Sequence, residues 1–593
     1  MSFALDYDWQ RGRRDLIAGL TVAAIALPQG MAYALIAGVD PNFGLYSVIV
    51  VTAIASIFGS SSHLINGPTS AISLLVFSAL AFLDPENRTD LYEALFLLGV
   101  LVGAIQILIA VFKLGDLTRY VSESVIIGFM AGASLLLAIG QIGNALGLHD
   151  KGTGDMQVLH RLWLTLFRGD HVNYKALFIS ATAVVLAVVL RKIVARLKLP
   201  LIDMLLVLVI TGLIAYFAGW STLGPSGGPA VALTGKIPGS LPTLHIPEVK
   251  TAWLGSLSKG AFAIAFIGLI EALSIAKAIA NETRQKLDYN RQILAEGLAN
   301  LTGGFFQCLP GSGSLSRSAI NYQAGAATRF SGVITAAVVA LAMLLFAPWL
   351  AYIPKPALAG LLLVTAARLV DFKRLFFTLR ATRYDAGLVL VTAITAILVD
   401  LDTAVLLGVA LSILLFVPRA AKLKGAELIV TPERVVRERL PLDAAVDPGL
   451  LIYDLEGELF FGAAPELDRY FDTLKSWIEA QDVKFVVLRL KRVRNPDVVC
   501  IERLEHFLRE ETARGVTVLL AGVRPDTAGI LANIKLGSWF PSSQIFPEEE
   551  EQYSSTLKAV RFALAKLRAA RAEEPAPQEQ TDVNLTPKLY YLV

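Results

Sequence analysis

Residues 309–318 read LPGSGSLSRS, and residues 66–70 read NGPTS. Each is a Gly/Pro break followed by a short apolar stretch, and each stands third in a run of seven hydrophobic segments. A helix that starts inside the membrane leaves its first backbone N–H groups without partners and carries partial positive charge at that end. Seven is odd, so the second run lies inverted relative to the first. Matched interrupted segments in inverted halves point to the binding site of a secondary transporter. The fold class that follows is a polytopic α-helical membrane protein built as a 7+7 inverted repeat.

The rest of the chain fits this frame. Of 593 residues, 55% are hydrophobic and only 17% charged, against roughly 25% charged in ordinary soluble domains. On the rule that a membrane span takes roughly 20 apolar residues, spanning or half-spanning segments fall at 16–38, 44–60, 68–83, 91–112, 120–147, 173–194, 199–220, 258–280, 292–308, 314–325, 331–350, 354–369, 384–400 and 402–418. Basic clusters fall on one side if these fourteen are counted: Arg11, Arg13 and Arg14; Lys113 and Arg119; Arg191, Lys192, Arg196 and Lys198; Arg284, Lys286 and Arg291; Lys373, Arg374, Arg380 and Arg383; Arg419, Lys422 and Lys424. The positive-inside rule then makes both termini cytoplasmic. The organisation predicted is a cytoplasmic N-terminus (1–15), a first repeat (16–220), an extracytoplasmic connection (221–257) and a second repeat (258–420).

Beyond residue 420 the pattern changes. Residues 450–461, 484–490 and 516–521 read as strands, with amphipathic helices near 464–479 and 498–514. These predict a small cytoplasmic α/β domain over 430–568. The Ala-, Glu-, Pro- and Gln-rich tail, 569–593, has the composition of a disordered segment.

Several functions are excluded. A net charge of +3 gives no nucleic-acid footprint, and Cys308 and Cys500 lie in different halves of the chain. There is no phosphate-binding Gly-rich loop, no zinc-ligand spacing and no catalytic constellation. The expectation is a transporter, not an enzyme, run by an ion gradient with H+ or Na+ as coupling ion and no other cofactor.

The informative residues are polar ones at membrane depth. Arg317 lies just inside the short tenth segment, where a permanent charge faces a cavity or a partner. With the helix start and the hydroxyls of Ser314 and Ser316 it makes an anion site; a structural ion pair or snorkelling to the interface is the competing role. At the third segment Pro68 sets the first turn, and Thr69 and Ser70 offer hydroxyls. Pro28 frees a carbonyl in the first segment, and Gln29 beside it can donate to an anion or to a neighbouring helix. Tyr33 shares the face of Gln29. Glu271, in IGLIEALSIAKA, is a candidate proton carrier or cation ligand, or a salt-bridge partner for Arg317.

These segments resemble the sulfate permease (SulP) family of anion transporters. The carriers of the resemblance are DLIAGLTVAAIALPQGMAYALIAGVDPNFGLYS at the first helix, HLINGPTSAISLLVF at the third, and EALSIAKAI, EGLANLTG and PGSGSLSRSAIN at the eighth to tenth. The C-terminal part resembles the STAS domain attached to such transporters. The resemblance implies a core domain (segments one to four and eight to eleven) moving like an elevator against a gate domain, in a homodimer. It implies an anion site formed by Gln29, Thr69, Leu315, Ser316 and Arg317, with Glu271 as the acid associated with proton or sodium coupling. Three departures stand out: Asn66 before Gly-Pro, CLPGSG at 308–313, and Asp497-Val498 where the STAS helix usually starts Asp-Ser or Asp-Thr.

The function implied is proton-coupled symport of sulfate or a similar small oxyanion at a bacterial inner membrane. Sodium-coupled bicarbonate symport, dicarboxylate symport and anion exchange are the nearest alternatives. An anion channel, or a membrane sensor signalling through its STAS domain to a cytoplasmic partner, ranks lower.

Overall fold

The computed structural model describes residues 7–84, 87–113, 122–148, 158–168, 171–196, 203–221, 230–235, 238–431, 436–440, 449–551 and 553–572. The predicted tail falls almost wholly outside them. The chain divides into a helical unit, Met1–Ile413, and a C-terminal unit, Leu414–Val593.

The first half of the helical unit runs α1 (Trp9–Ile36), α2 (Pro41–Phe58), strand β1 (Asn66–Gly67), α3 (Ser70–Leu80), α4 (Arg88–Val111), α5 (Glu123–Leu146), α6 (Val158–Phe167), α7 (Tyr174–Arg196) and α8 (Asp203–Phe217). The second half runs α9 (Thr251–Thr283), α10 (Tyr289–Phe305), strand β2 (Ser312–Gly313), α11 (Leu315–Gln323), α12 (Phe330–Leu350), α13 (Lys355–Leu369), α14 (Phe372–Ala381), α15 (Arg383–Leu398) and α16 (Leu401–Ala420). Eight of these helices are long and apolar enough to cross a membrane.

Two helices of the helical unit were not expected from the sequence. Both α6 and α14 are ten residues long and amphipathic, too short for the span criterion. The tenth predicted segment is therefore α11. The eighth, expected at 258–280, extends to Thr251–Thr283.

Helices α1–α4 pack against α9–α12, while α5, α7 and α8 pack with α13 and α15. This is the core-and-gate division. The α4–α10 contact is glycine-lined: a Cβ on Gly103 would lie 2.3 Å from the Leu301 nitrogen, and one on Gly304 2.7 Å from the Phe96 carbonyl oxygen. In an apolar medium such backbone approach supplies the van der Waals contact that holds helices together. Helix α7 of the gate faces outward, burying 28% of its apolar window against 67% for α1, α2 and α9, as a lipid-facing helix does.

The C-terminal unit has a six-stranded sheet in the order β4–β3–β5–β6–β7–β8, formed by Val436–Glu438, Lys424–Val430, Leu450–Glu458, Phe485–Arg494, Thr517–Val523 and Ile545–Pro547. Strands β5 to β8 are parallel, and β3 is antiparallel to its neighbours β4 and β5. Alternate residues face opposite sides. Leu451, Tyr453, Val486, Leu488, Val518 and Leu520 pack under α17 (Ala464–Ala480) and α18 (Val498–Ala513). Ile452, Val487, Leu519 and Ala521 pack under α20 (Ser554–Ala572), which follows the short helix α19 (Pro525–Asn533). Strand β3 begins at Lys424, so the sheet takes up residues ahead of position 430.

Candidate anion-binding site

The two sequence breaks meet. Strands β1 and β2 pair antiparallel, with Asn66 opposite Gly313 and Gly67 opposite Ser312. Each strand feeds a short helix through a hydroxyl cap: Thr69 Oγ1 accepts from the Ile72 amide at 3.4 Å, and Ser314 Oγ from the Arg317 amide at 3.5 Å. The caps satisfy one donor each. The amides of Ser70 and Ala71 on α3, and of Leu315 and Ser316 on α11, stay free of intrahelical partners and add their dipoles.

Irregular backbone inside a membrane must be satisfied by the protein, and here neighbouring helices supply the partners. Asn300 on α10 accepts from the Gly311 amide through Oδ1 at 2.8 Å and donates to the Gly311 carbonyl through Nδ2 at 3.0 Å. The same Nδ2 reaches Gln106 Oε1 on α4 at 2.9 Å. Ser312 Oγ donates to Gly268 O on α9, Thr52 Oγ1 on α2 to Asn66 O, and Ser47 Oγ to Leu309 O, at 2.7, 2.7 and 2.8 Å. The strand pair is thus fixed by four helices of the core.

Arg317 is fully buried behind this pair. Its Nη2 donates to the Pro68 carbonyl at 2.8 Å, while Nε and Nη1 have no hydrogen-bond partner. Gly67, at φ +132°, lies against the guanidinium: a Cβ there would stand 3.2 Å from Nη1. Glu271 accepts from Thr69 Oγ1 at 3.3 Å. It forms no ion pair with Arg317, though the two charges act on each other and on Tyr33.

Thr69, Ser70, Ser314, Arg317 and Glu271 are therefore gathered around one strand pair. Leu315 and Ser316, on the first turn of α11, are exposed, so that turn faces open space. Gln29 and Tyr33 are buried on α1. Gln29 Nε2 lies 3.8 Å from Met204 Sδ on α8, across the core–gate boundary, and its Oε1 has no partner.

Residues the sequence reading did not single out also belong here: Asn300, Gln106, Ser312 and Glu296. For Glu296 and Asn300 the signal was present in α10, where Gln292, Glu296 and Asn300 recur every four residues and form a polar stripe in an apolar span.

A cavity of 530 Å³ lies elsewhere, at the other end of α1 and α3. It is lined by Arg161, Asp402 and the ion pair Lys259–Asp400, and includes none of the residues just described. The polar convergence at β1–β2, not this cavity, defines the candidate site.

Comparisons with known proteins place the chain in a family. Residues 13–392 match the model of the sulfate permease family, and residues 441–552 that of the STAS domain. The chain belongs to the sulfate permease family. It is a membrane transporter with a STAS domain, not an enzyme. It is 30% identical over 523 residues to the probable sulfate transporter Rv1739c of Mycobacterium tuberculosis, covering 87% of this chain and 90% of the relative. It is 27% identical over 549 residues to the putative sulfate transporter YvdB of Bacillus subtilis, covering 92% and 98%. The fold is that of the murine solute carrier 26 member A9 anion transporter, with a TM-score of 0.81 and 22% identity over 93% of this chain and 91% of the other. The transmembrane domain of the cyanobacterial bicarbonate transporter BicA matches with a TM-score of 0.59 and 24% identity over 68% and 98%.

In the STAS domain Asp497 caps α18, its Oδ1 accepting from the Cys500 amide at 3.0 Å. The next residue, Val498, is exposed and has no hydroxyl, so this position offers no phosphate acceptor.

Proposed function

We propose that this transporter is a proton-coupled symporter of sulfate or a similar small oxyanion. The observation that carries the reading is the antiparallel pairing of β1 with β2, which aims two helix N-termini at one place with Arg317 fully buried behind them. Helix starts and a guanidinium attract negative cargo, and a low-dielectric surrounding strengthens the attraction. The curated relatives named as sulfate transporters support the choice of oxyanion.

Ser70, Leu315 and Ser316 bind the anion through backbone N–H groups and hydroxyls, with Gln29 donating from α1 and Tyr33 beside it. Arg317 supplies potential. Glu271, joined to the site through Thr69, takes up the proton. A guanidinium and an ionised Glu271 partly cancel, and a protonated Glu271 leaves the full positive field for the substrate. Sodium could occupy the proton's role at the same carboxylate. The core carries the site past the gate as an elevator, in a homodimer at a bacterial inner membrane with both termini in the cytoplasm. The STAS domain serves assembly or binds a cytoplasmic partner.

The test is counterflow in liposomes with labelled sulfate, bicarbonate and fumarate. Exchange of sulfate above the other two, enhanced by an inward proton gradient and not by sodium, is expected. Preferred exchange of bicarbonate driven by sodium would replace this reading with that of a bicarbonate symporter, and currents far above carrier rates would replace it with a channel.

A further inference from the structure

The polar stripe of α10 contains a second acid that the proposed cycle has not used. Glu296 is 1% exposed. Its Oε1 accepts from Gln292 Nε2 at 3.1 Å, and its Oε2 has no hydrogen-bond partner. The side chain of Asn66, in β1, flanks the same carboxyl, yet Asn66 Nδ2 is also left without a partner. The Asn66 side chain thus acts on this carboxyl at close range, in a geometry short of a full hydrogen bond.

No cation compensates Glu296 among the described residues. Helix α2 has no charged residue, and the charges of α4, Arg88, Asp90 and Glu93, lie in its first turns, where Asp90 and Glu93 meet Lys250 and His245. From α9 the charge coupled to it is that of Glu271, another carboxylate. β1 offers the Asn66 amide, and α10 itself offers Gln292, while Arg291 of α10 is exposed and donates to the Phe58 carbonyl. An ionised carboxylate at such a place costs several kcal/mol, and the neutral acid is the form these surroundings tolerate. The Asn66 amide can serve either state. Its Nδ2 donates to a carboxylate, and its Oδ1, after a half-turn of the amide, accepts from an acid O–H. Asn66 is paired with Gly313, next to the cap of α11, and so stands between Glu296 and the anion site.

The geometry points to Glu296 as a second proton-binding residue of the transport cycle, so that Glu271 and Glu296 together carry two protons with each divalent oxyanion. This rests on the proton-symport reading and sets its stoichiometry. Each carboxylate takes one proton from the side on which substrate enters and releases it on the other. No bond other than O–H forms or breaks. Two protons balance the charge of sulfate, so that a complete cycle transfers no net charge.

The experiment uses the full chain in liposomes with labelled sulfate, an internal pH dye and a potassium–valinomycin clamp. Wild type is expected to take up two protons per sulfate, at a rate indifferent to membrane potential. Glu296→Gln is expected to take up one, and to slow when the interior is made negative because a net negative charge now enters. Glu296→Asp, which keeps the acid, is expected to behave as wild type. One proton per sulfate in wild type, or an unchanged ratio and unchanged indifference to potential in Glu296→Gln, overturns the assignment while leaving proton symport standing. Proton-independent uptake in wild type overturns the symport reading and this one with it. If Glu296→Gln does not fold, Glu296→Ala is read in its place for the same loss of one proton, and a wild-type ratio of one proton per sulfate overturns the assignment by itself.

Discussion

The guanidinium of Arg317 donates through Nη2 to the carbonyl of Pro68 at 2.8 Å, closed over Gly67. The charge of the second repeat is thereby anchored on the break of the first. Gly67→Ala adds a methyl 3.2 Å from Nη1 at a φ of +132°, a backbone region costing roughly 1–3 kcal/mol for an L side chain. Sulfate uptake is expected to fall by about tenfold or more, the ratio that ~1.4 kcal/mol produces. Arg317→Lys is expected to lose as much, since one ammonium cannot reproduce the planar fork. Initial rates in liposomes check both, and unimpaired uptake in both variants would refute the placement of this charge.

Gln29 and Ser316 stand on different helices, α1 and α11, and the proposed site takes a donor from each. Hydrogen bonds to charged groups contribute roughly 1.5–3 kcal/mol, so each alanine substitution is expected to raise the half-saturating sulfate concentration about tenfold. Ser316 is exposed, and its removal is expected to leave thermal unfolding unchanged. Uptake kinetics beside a melting curve separate binding from folding.

Much of this was legible in the sequence because membrane helices obey few rules. Length and hydropathy exposed the long spans, and the two Gly/Pro breaks marked where β1 and β2 would meet. What stayed hidden was set by tertiary partners. α14 carries the cluster Lys373, Arg374 and Arg380 with exposed Phe376 and Phe377, and ten residues with so many charges read as a loop. The distance between Glu271 and Arg317 was equally out of reach: the sequence allowed a salt bridge, while in the fold Glu271 hydrogen-bonds Thr69 and Arg317 turns to Pro68. Asn300 was written in the stripe of α10, but its partner Gly311 lies in the irregular segment just ahead of β2, whose course no periodicity gives.

Asn300 tests that stripe. It satisfies both backbone groups of Gly311 and meets Gln106. Asn300→Ala leaves these buried groups unpaired, at about 1–3 kcal/mol for each. A lower unfolding temperature and loss of uptake are expected together, in contrast to Ser316→Ala, and fluorescence-detected unfolding in detergent would show the difference.

In the STAS domain Arg489 and Asp454 form a buried pair, with Nη1 2.8 Å from both carboxylate oxygens and the Tyr553 ring 4.7 Å from the guanidinium. Removing one partner strands the other. Asp454→Ala is expected to destabilise the domain by about 3–5 kcal/mol, whereas Asp454→Ala with Arg489→Met, which removes both charges, should recover much of it. Urea unfolding of the single and double variants measures the coupling.

Cys500 gives a prediction in pH. Burial and the neighbouring Asp497 push its thiol up to about 12, against about 8.5 for a free cysteine. At pH 8 roughly one thiol in ten thousand is then ionised, compared with about a quarter in an unfolded chain. Alkylation of Cys500 at pH 8 is expected to be slow in native protein and fast after unfolding. The sign for stability follows: the folded state keeps a proton that the unfolded state has released, so this contribution is fully present below about 8.5 and is lost as pH rises towards 12. Peptide-level mass spectrometry after a timed alkylation reads the first effect, and urea midpoints between pH 8 and 10, falling for wild type and less for Cys500→Ala, read the second. Rapid native labelling at pH 8 would contradict the buried environment assigned to this thiol.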